Sequence, residues 1–341
     1  MQKRLFSFLK FSLFFGLGIF LVWWSIHKLS DPDYKDFIQS LKNADYILLI
    51  PVLFILLLSH LSRAVRWKIL MASMGYNPKL SNTFCAVMVG YLANFAFPRL
   101  GEVLKCTILG KYEKVPPDKL VGTILIERAV DLVCFFIIIV ISLLTQAKVV
   151  GAFAKEKVSS YFLTGNTSNM ILRMVIAGLI IIGALILLKY IFKKYHHIKL
   201  VDRIKNIFNG IVEGLLSVKN MQKKWWFIFH SLLIWCCYLL GTYIGFWAIK
   251  ETAALPVLAA FPVLSFGTMA TIITPGGIGL YPVFLMEAMK LYNIPESYGT
   301  ANGWLQWSAQ FVIILVTGFL CLAALFYINK SKHESSKSHP L

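Results

Sequence analysis

Two groups of ionisable residues stand inside stretches that are otherwise apolar: Arg99, Glu102 and Lys105, then Glu127, Arg128 and Asp131. Charges in hydrocarbon are costly, so their presence asks for a reason. Steps of three put Arg99, Glu102 and Lys105 on one face of a helix that begins just after Pro98. An arginine there, beside backbone N–H groups that the break leaves free, offers a two-pronged donor matched to phosphate. Glu102 would hold that arginine in place or act as the proton-exchanging member. In the second group Glu127 and Asp131 are i,i+4 neighbours, with Arg128 three residues before Asp131. These residues read equally as a buried ion-pair lock, Arg128 with Glu102 and Asp131 with Arg99, or as the wall of an anion pocket whose arginines need counter-ions when it is empty.

A third feature carries no charge. The turn Thr274-Pro275-Gly276-Gly277-Ile278-Gly279 interrupts an apolar run. Its chemistry would be backbone donors and carbonyls brought within close reach at Thr274, Gly276, Gly277 and Gly279, with a plain helix kink as the alternative. Glu287 beyond it is a weaker candidate. Arg63, Arg66 and Trp67 close another apolar run, where snorkelling and aromatic anchoring account for them, and attraction of lipid headgroups is the alternative. There is no P-loop, HExxH, dinucleotide fingerprint or serine elbow, so a soluble active site is not expected. The six cysteines and seven histidines show no metal-ligand spacing, and neither a metal nor a cofactor is expected.

The elements that would position these residues follow from composition. Of 341 residues, 58% are apolar and 15% charged, against roughly 25% charged in soluble domains. Continuous apolar runs such as 135–144 exclude the alternation of a β-barrel, and the same hydrophobicity excludes disorder. The expected fold is all-α, a polytopic helical membrane bundle. Runs near 5–26, 46–66, 121–146, 170–192, 225–249 and 302–328 predict six full spans through about 30 Å of hydrocarbon. The first is read as a retained helix, because Trp23 and Trp24 stand where a cleavage site needs small residues. A net charge of +18 would suggest nucleic acid in a soluble protein; here it fits basic cytoplasmic loops, and no nucleic-acid partner is expected.

Two further apolar regions are broken, 82–110 at Pro98-Arg99-Leu100-Gly101 and 256–292 at the 274–279 turn. Their second arms are too short to cross alone. Proline and glycine free backbone groups that bare lipid does not satisfy, so each region predicts a re-entrant broken-helix hairpin with its tip buried in protein or lining a wet cavity. That threading puts 23 basic residues and both termini on the cytoplasmic side, and 9 basic residues outside. The order span, span, hairpin, span then occurs twice in opposite orientation. It predicts an inverted repeat within a single transmembrane domain, 1–330, with halves of about 1–165 and 166–330. Segment 200–218 carries a helical apolar stripe and is expected to lie on the inner leaflet. Residues 331–341 predict a disordered cytoplasmic tail.

Arg63-Ala64-Val65-Arg66-Trp67, Asn94-Phe95-Ala96-Phe97-Pro98-Arg99-Leu100-Gly101-Glu102, Glu127-Arg128-Ala129-Val130-Asp131 and the 274–279 turn occur in that order. Together they resemble the membrane region of lysylphosphatidylglycerol synthases and their flippase-like relatives, over nearly the whole chain. The resemblance implies an integral protein of the inner (cytoplasmic) membrane that handles lipid. It would bind an anionic headgroup of phospholipid or polyprenyl-phosphate type, or move it between leaflets, and Asn94 joins the residues expected to contact that substrate. The resemblance does not extend to the soluble aminoacyl-transferring domain of full-length synthases, so lysine transfer is not expected. Pro282 also departs from the acidic residue that many relatives carry there. Two other readings stand beside this one: an intramembrane enzyme on a lipid-linked substrate, with Glu102 or Asp131 as general base, and a non-catalytic partner of a separate synthase docked through segment 193–224.

Overall fold

The computed structural model describes residues 29–96, 100–146 and 221–330, together with positions 16, 20, 23, 24 and 27. The expected span at 170–192, the stripe at 200–218, most of the span at 5–26, the basic segment 193–220, the tail and Arg99 lie outside these residues. Among the described residues, secondary structure is entirely helical.

Helix α1, Asp31–Lys42, is short and polar, and no apolar run announces it. Its start is written locally instead: Ser30 accepts a hydrogen bond from the Asp33 amide, and Asp31 and Asp33 complement the helix dipole. Phe37 anchors it on Ile249 and Ala301. Helix α2, Leu49–Ser73, follows a turn in which the Asp45 carboxylate caps the Ile47 amide. It runs antiparallel to a helix of the second half, Lys224–Trp247. At one end the Asp45 amide donates to the Ala248 carbonyl at 2.8 Å, and farther along Ser62 Oγ meets His230 Nδ1 at 2.8 Å.

Between these two helices in the chain come α3, Leu80–Ala96, α4, Leu100–Glu113, and α5, Pro117–Thr145. The Lys224–Trp247 helix is therefore α6. It is followed by α7, Ala260–Ile273, α8, Leu280–Lys290, and α9, Glu296–Ile328. Among the described helices, three are long and apolar enough to cross a membrane: Tyr46–Ser73, Lys224–Trp247 and Glu296–Ile328. They coincide with the runs expected at 46–66, 225–249 and 302–328.

The two broken regions fold back on themselves. In α3/α4 the mouth is closed by Asn82 donating to Glu113, and the arms converge at Gly90 and Gly101, where a Cβ on Gly101 would collide with the Gly90 carbonyl. In α7/α8, Gly267 leaves room for Tyr281 and Leu285 of the returning arm. The first hairpin leaves from the C-terminal end of α2 and the second from the C-terminal end of α6. Because α2 and α6 are antiparallel, the mouths open at opposite ends of the bundle. Helices α5 and α9 run past both hairpins in opposite senses. Gln146, just after α5, reaches Tyr292 at the second mouth, whereas Asn329, just after α9, exchanges amide hydrogen bonds with Asn82 at the first.

The two broken tips touch. The Phe95 ring lies where a Cβ on Gly276 would be, and Gly276 sits at φ 61°, a left-handed backbone that glycine adopts without steric cost. Trp307 of α9 donates its indole N–H to the Gly276 carbonyl at 2.9 Å. Phe311 packs edge-on against Phe95 and stacks on Trp307.

Candidate functional site

Charge is gathered where α2, α4 and α5 meet α6. Arg63 and Arg66, one turn apart on α2, point at α5. Asp131 answers both, with Oδ2 at 2.6 Å from Arg63 Nη1 and Oδ1 at 2.7 Å from Arg66 Nη1. Glu127, one turn earlier on α5, accepts from Lys105 of α4 at 3.0 Å and faces Arg66 Nη2 at 3.6 Å. The Arg66 side chain has no exposed surface and the Glu127 side chain only 3%. Ser231 and Tyr238 of α6 supply oxygens to Arg66 and Arg63, and Arg66 lies over the Phe227 ring. Trp67 is fully buried, donates to Thr123 at 2.8 Å, and has the Lys105 ammonium 4.4 Å from its ring centroid. Charges removed from water are tolerated when paired and hydrogen-bonded, and breaking such a pair is costly.

Arg63, Arg66 and Trp67 therefore do not take the places expected of interfacial anchors. Helix α2 continues to Ser73, so the residues that seemed to close an apolar run lie inside the helix, neutralised from α5 rather than by headgroups or water. Both oxygens of Asp131 accept from α2 guanidiniums, while the expected pairing with Arg99 falls on a residue outside the described ones.

The expected pairing of Arg128 with Glu102 is present, with Nη2 at 2.9 Å and Nε at 3.2 Å from the same carboxylate oxygen. Unlike the inner network it is open: the Arg128 side chain is 56% exposed. Its neighbours along α5, Leu125, Leu132 and Phe136, are exposed as well, and so is Val103 beside Glu102. Behind the pair, a narrow depression with about 10 Å³ of free space is lined by Tyr91, Asn94, Glu102, Lys105 and Arg128, among others. Asn94 turns its side-chain oxygen to the Gly101 amide at 2.8 Å and holds the tip of the hairpin closed.

The structure thus brings Asn94, Glu102, Lys105, Glu127, Arg128 and Asp131 together and adds Arg63, Arg66 and Trp67 to them. The second broken tip goes elsewhere. Thr274 bonds back to Ala270, Gly277 packs on Thr271 and Tyr281, and Gly276 meets Phe95 of the first hairpin, and none of Thr274, Gly276, Gly277 and Gly279 lines the charged depression. Glu287 pairs with Lys290 at the surface. Tyr91, Tyr238 and Ser231 were invisible to a search for charged residues in apolar runs. No local signal marks them, since each gains its role from a helix distant in the chain.

The half with charges has an uncharged counterpart. Thr123, Glu127 and Asp131 lie seven, eleven and fifteen residues after Pro116; Asn302, Gln306 and Gln310 lie at the same distances after Pro295. Thr123, Glu127 and Asp131 meet α2. Asn302 and Gln306 meet α6, where they donate to the carbonyls of Gly245 and Thr242.

The chain matches the family described as the lysylphosphatidylglycerol synthase TM region over residues 8–318. It is similar to a UPF0104 membrane protein of Methanocaldococcus jannaschii, 25% identical over 293 residues that cover 82% of this chain and 84% of the relative. A second UPF0104 membrane protein, from Methanothermobacter thermautotrophicus, is 22% identical over 316 residues, 87% of this chain and 90% of the relative. No solved structure matches it.

Proposed function

From the premise that this integral membrane protein belongs to the family of the lysylphosphatidylglycerol synthase TM region, we propose that it admits an anionic lipid headgroup, of phospholipid or polyprenyl-phosphate type, and passes it between leaflets. One observation carries the reading. Arg128 is a half-exposed cation on a helix face whose other exposed residues are Leu125, Leu132 and Phe136, and it guards a depression containing Lys105. An arginine on an oily face is costly unless it meets an anion at that depth. A lipid supplies that anion while its acyl chains stay against α5. Glu102 holds the guanidinium until the headgroup arrives.

On this reading α3/α4 and α7/α8 are re-entrant hairpins that enter from opposite leaflets, related as inverted repeats, with the site near the midplane. Their opposed mouths, their touching tips, and the matching offsets after Pro116 and Pro295 support that arrangement. The excess of basic residues on one side supports an orientation with both termini on the cytoplasmic side of the inner membrane. The geometry favours transport over catalysis, because Asp131, one of the two expected bases, has both oxygens committed to guanidiniums. The test is transbilayer movement of fluorescent phosphatidylglycerol in proteoliposomes. Wild-type protein accelerates it and Arg128→Gln slows it; equal rates with Arg128→Gln, or no acceleration over protein-free vesicles, contradict the reading.

A further inference from the structure

Lys105 belongs both to the buried network and to the wall of the depression. Its ammonium bonds one oxygen of Glu127 at 3.0 Å. The other oxygen, Oε1, makes no hydrogen bond and stands 3.6 Å from Arg66 Nη2, which makes none either, and both atoms are buried. That separation exceeds an ordinary N–H···O distance by about 0.7 Å. Pulling a lysine away from a buried carboxylate would normally strand it. Here a second cation already faces the carboxylate, one small side-chain adjustment away.

We propose that Lys105 is a mobile anion ligand: it leaves Glu127 to take the phosphate of a headgroup that has entered past Arg128, and Glu127 closes onto Arg66 as it goes. This rests on the lipid-handling reading above and adds to it a two-step path, from the exposed Arg128 to the partly buried Lys105. Each cation is held by one carboxylate until the phosphate displaces it, Glu102 at the rim and Glu127 within. The ligand chemistry is a phosphate oxygen, which a free phosphate ion shares with a lipid headgroup. Departure of the ammonium from the Trp67 ring face also gives the step an optical signature, because the cation lies directly over that indole.

The experiment titrates the purified full-length protein with dihexanoylphosphatidylglycerol, dihexanoylphosphatidylcholine and inorganic phosphate, reading binding by calorimetry and Trp67 by the emission difference between wild type and Trp67→Phe. The expected result is saturable phosphatidylglycerol binding with a change in Trp67 emission. Lys105→Gln loses the emission change and weakens binding at least about tenfold, the scale of one charge-assisted hydrogen bond, and Lys105→Arg retains most of the affinity. Should Lys105→Gln fold poorly, Lys105→Gln/Glu127→Gln removes one charge of each sign and gives the same reading. Wild-type binding with no Trp67 response, or full affinity in the double variant, overturns the role of Lys105 and leaves the lipid reading standing. Failure of wild type to prefer phosphatidylglycerol over phosphatidylcholine removes the lipid reading, and this step with it. An equal response to inorganic phosphate upholds Lys105 as the ligand and assigns it to the free ion.

Discussion

Asp131 Oδ1 accepts a hydrogen bond at 2.7 Å from Arg66 Nη1, on a guanidinium with no exposed surface. Its other oxygen takes Arg63 at 2.6 Å, so one carboxylate bridges guanidiniums from two turns of α2 and ties α2 to α5. Removing it leaves two buried cations underpaired. Asp131→Asn is expected to destabilise the fold by roughly 3–5 kcal/mol, whereas Glu102→Gln at the open rim costs about 1 kcal/mol or less. Thermal unfolding of the two variants in the same detergent compares them, and equal losses would contradict the assignment of inner and outer pairs.

The tip contact predicts a specific rescue. Gly276→Ala places a methyl group in the Phe95 ring and imposes a left-handed backbone on alanine, so it should destabilise strongly. Adding Phe95→Ala relieves only the collision. The double-mutant coupling should be favourable and lie between about 0.5 and 3 kcal/mol. At Gly101, where the obstacle is the Gly90 carbonyl, no side-chain truncation should rescue Gly101→Ala.

Cys85 of α3 and Cys321 of α9 are buried neighbours in one apolar cluster. With the other four cysteines replaced by serine or alanine and a protease site inserted near residue 195, oxidation by copper phenanthroline should keep the two fragments joined on a non-reducing gel. Fragments that separate after oxidation would contradict the packing of the first hairpin against α9.

Opposed mouths predict opposed labelling. Lys79 and Lys114 flank the first hairpin and Glu251 and Asn293 the second, and all four are exposed. As single cysteines in intact cells, Lys79→Cys and Lys114→Cys should react with an impermeant maleimide from one side of the membrane, and Glu251→Cys and Asn293→Cys from the other. Labelling of Lys79→Cys and Lys114→Cys from different sides would turn α3 and α4 into two crossings and remove the re-entrant reading.

Much of the framework was legible because helices and breaks are written locally. Runs near 46–66, 121–146, 225–249 and 302–328 became α2, α5, α6 and α9, and the Pro98 and Pro275 breaks separate the arms of the two hairpins. Arg128 and Glu102 were recoverable because each stands on a short polar interval with few alternatives. The inner network was not. Arg63 and Arg66 end the strongly apolar part of their run, and polarity alone cannot distinguish a residue leaving the membrane from one neutralised by a helix 65 residues later. Even with Arg63, Arg66 and Lys105 set aside as members of one internal network, twenty basic residues remain on the expected cytoplasmic side against nine outside. The matching offsets after Pro116 and Pro295 are hard to see in the sequence because Glu127 and Asp131 are answered by Gln306 and Gln310, side chains of related shape but different charge.

The meeting of Phe95 with Gly276 also bears on permeability. If both hairpins enter from opposite leaflets, the oil that is about 30 Å thick elsewhere is interrupted here by two shafts of protein that meet at a benzene ring resting on bare backbone, with Trp307 and Phe311 packed beside it. That aromatic plug would then help to keep the molecule closed to ions, and a smaller residue at position 95 would raise conductance through it.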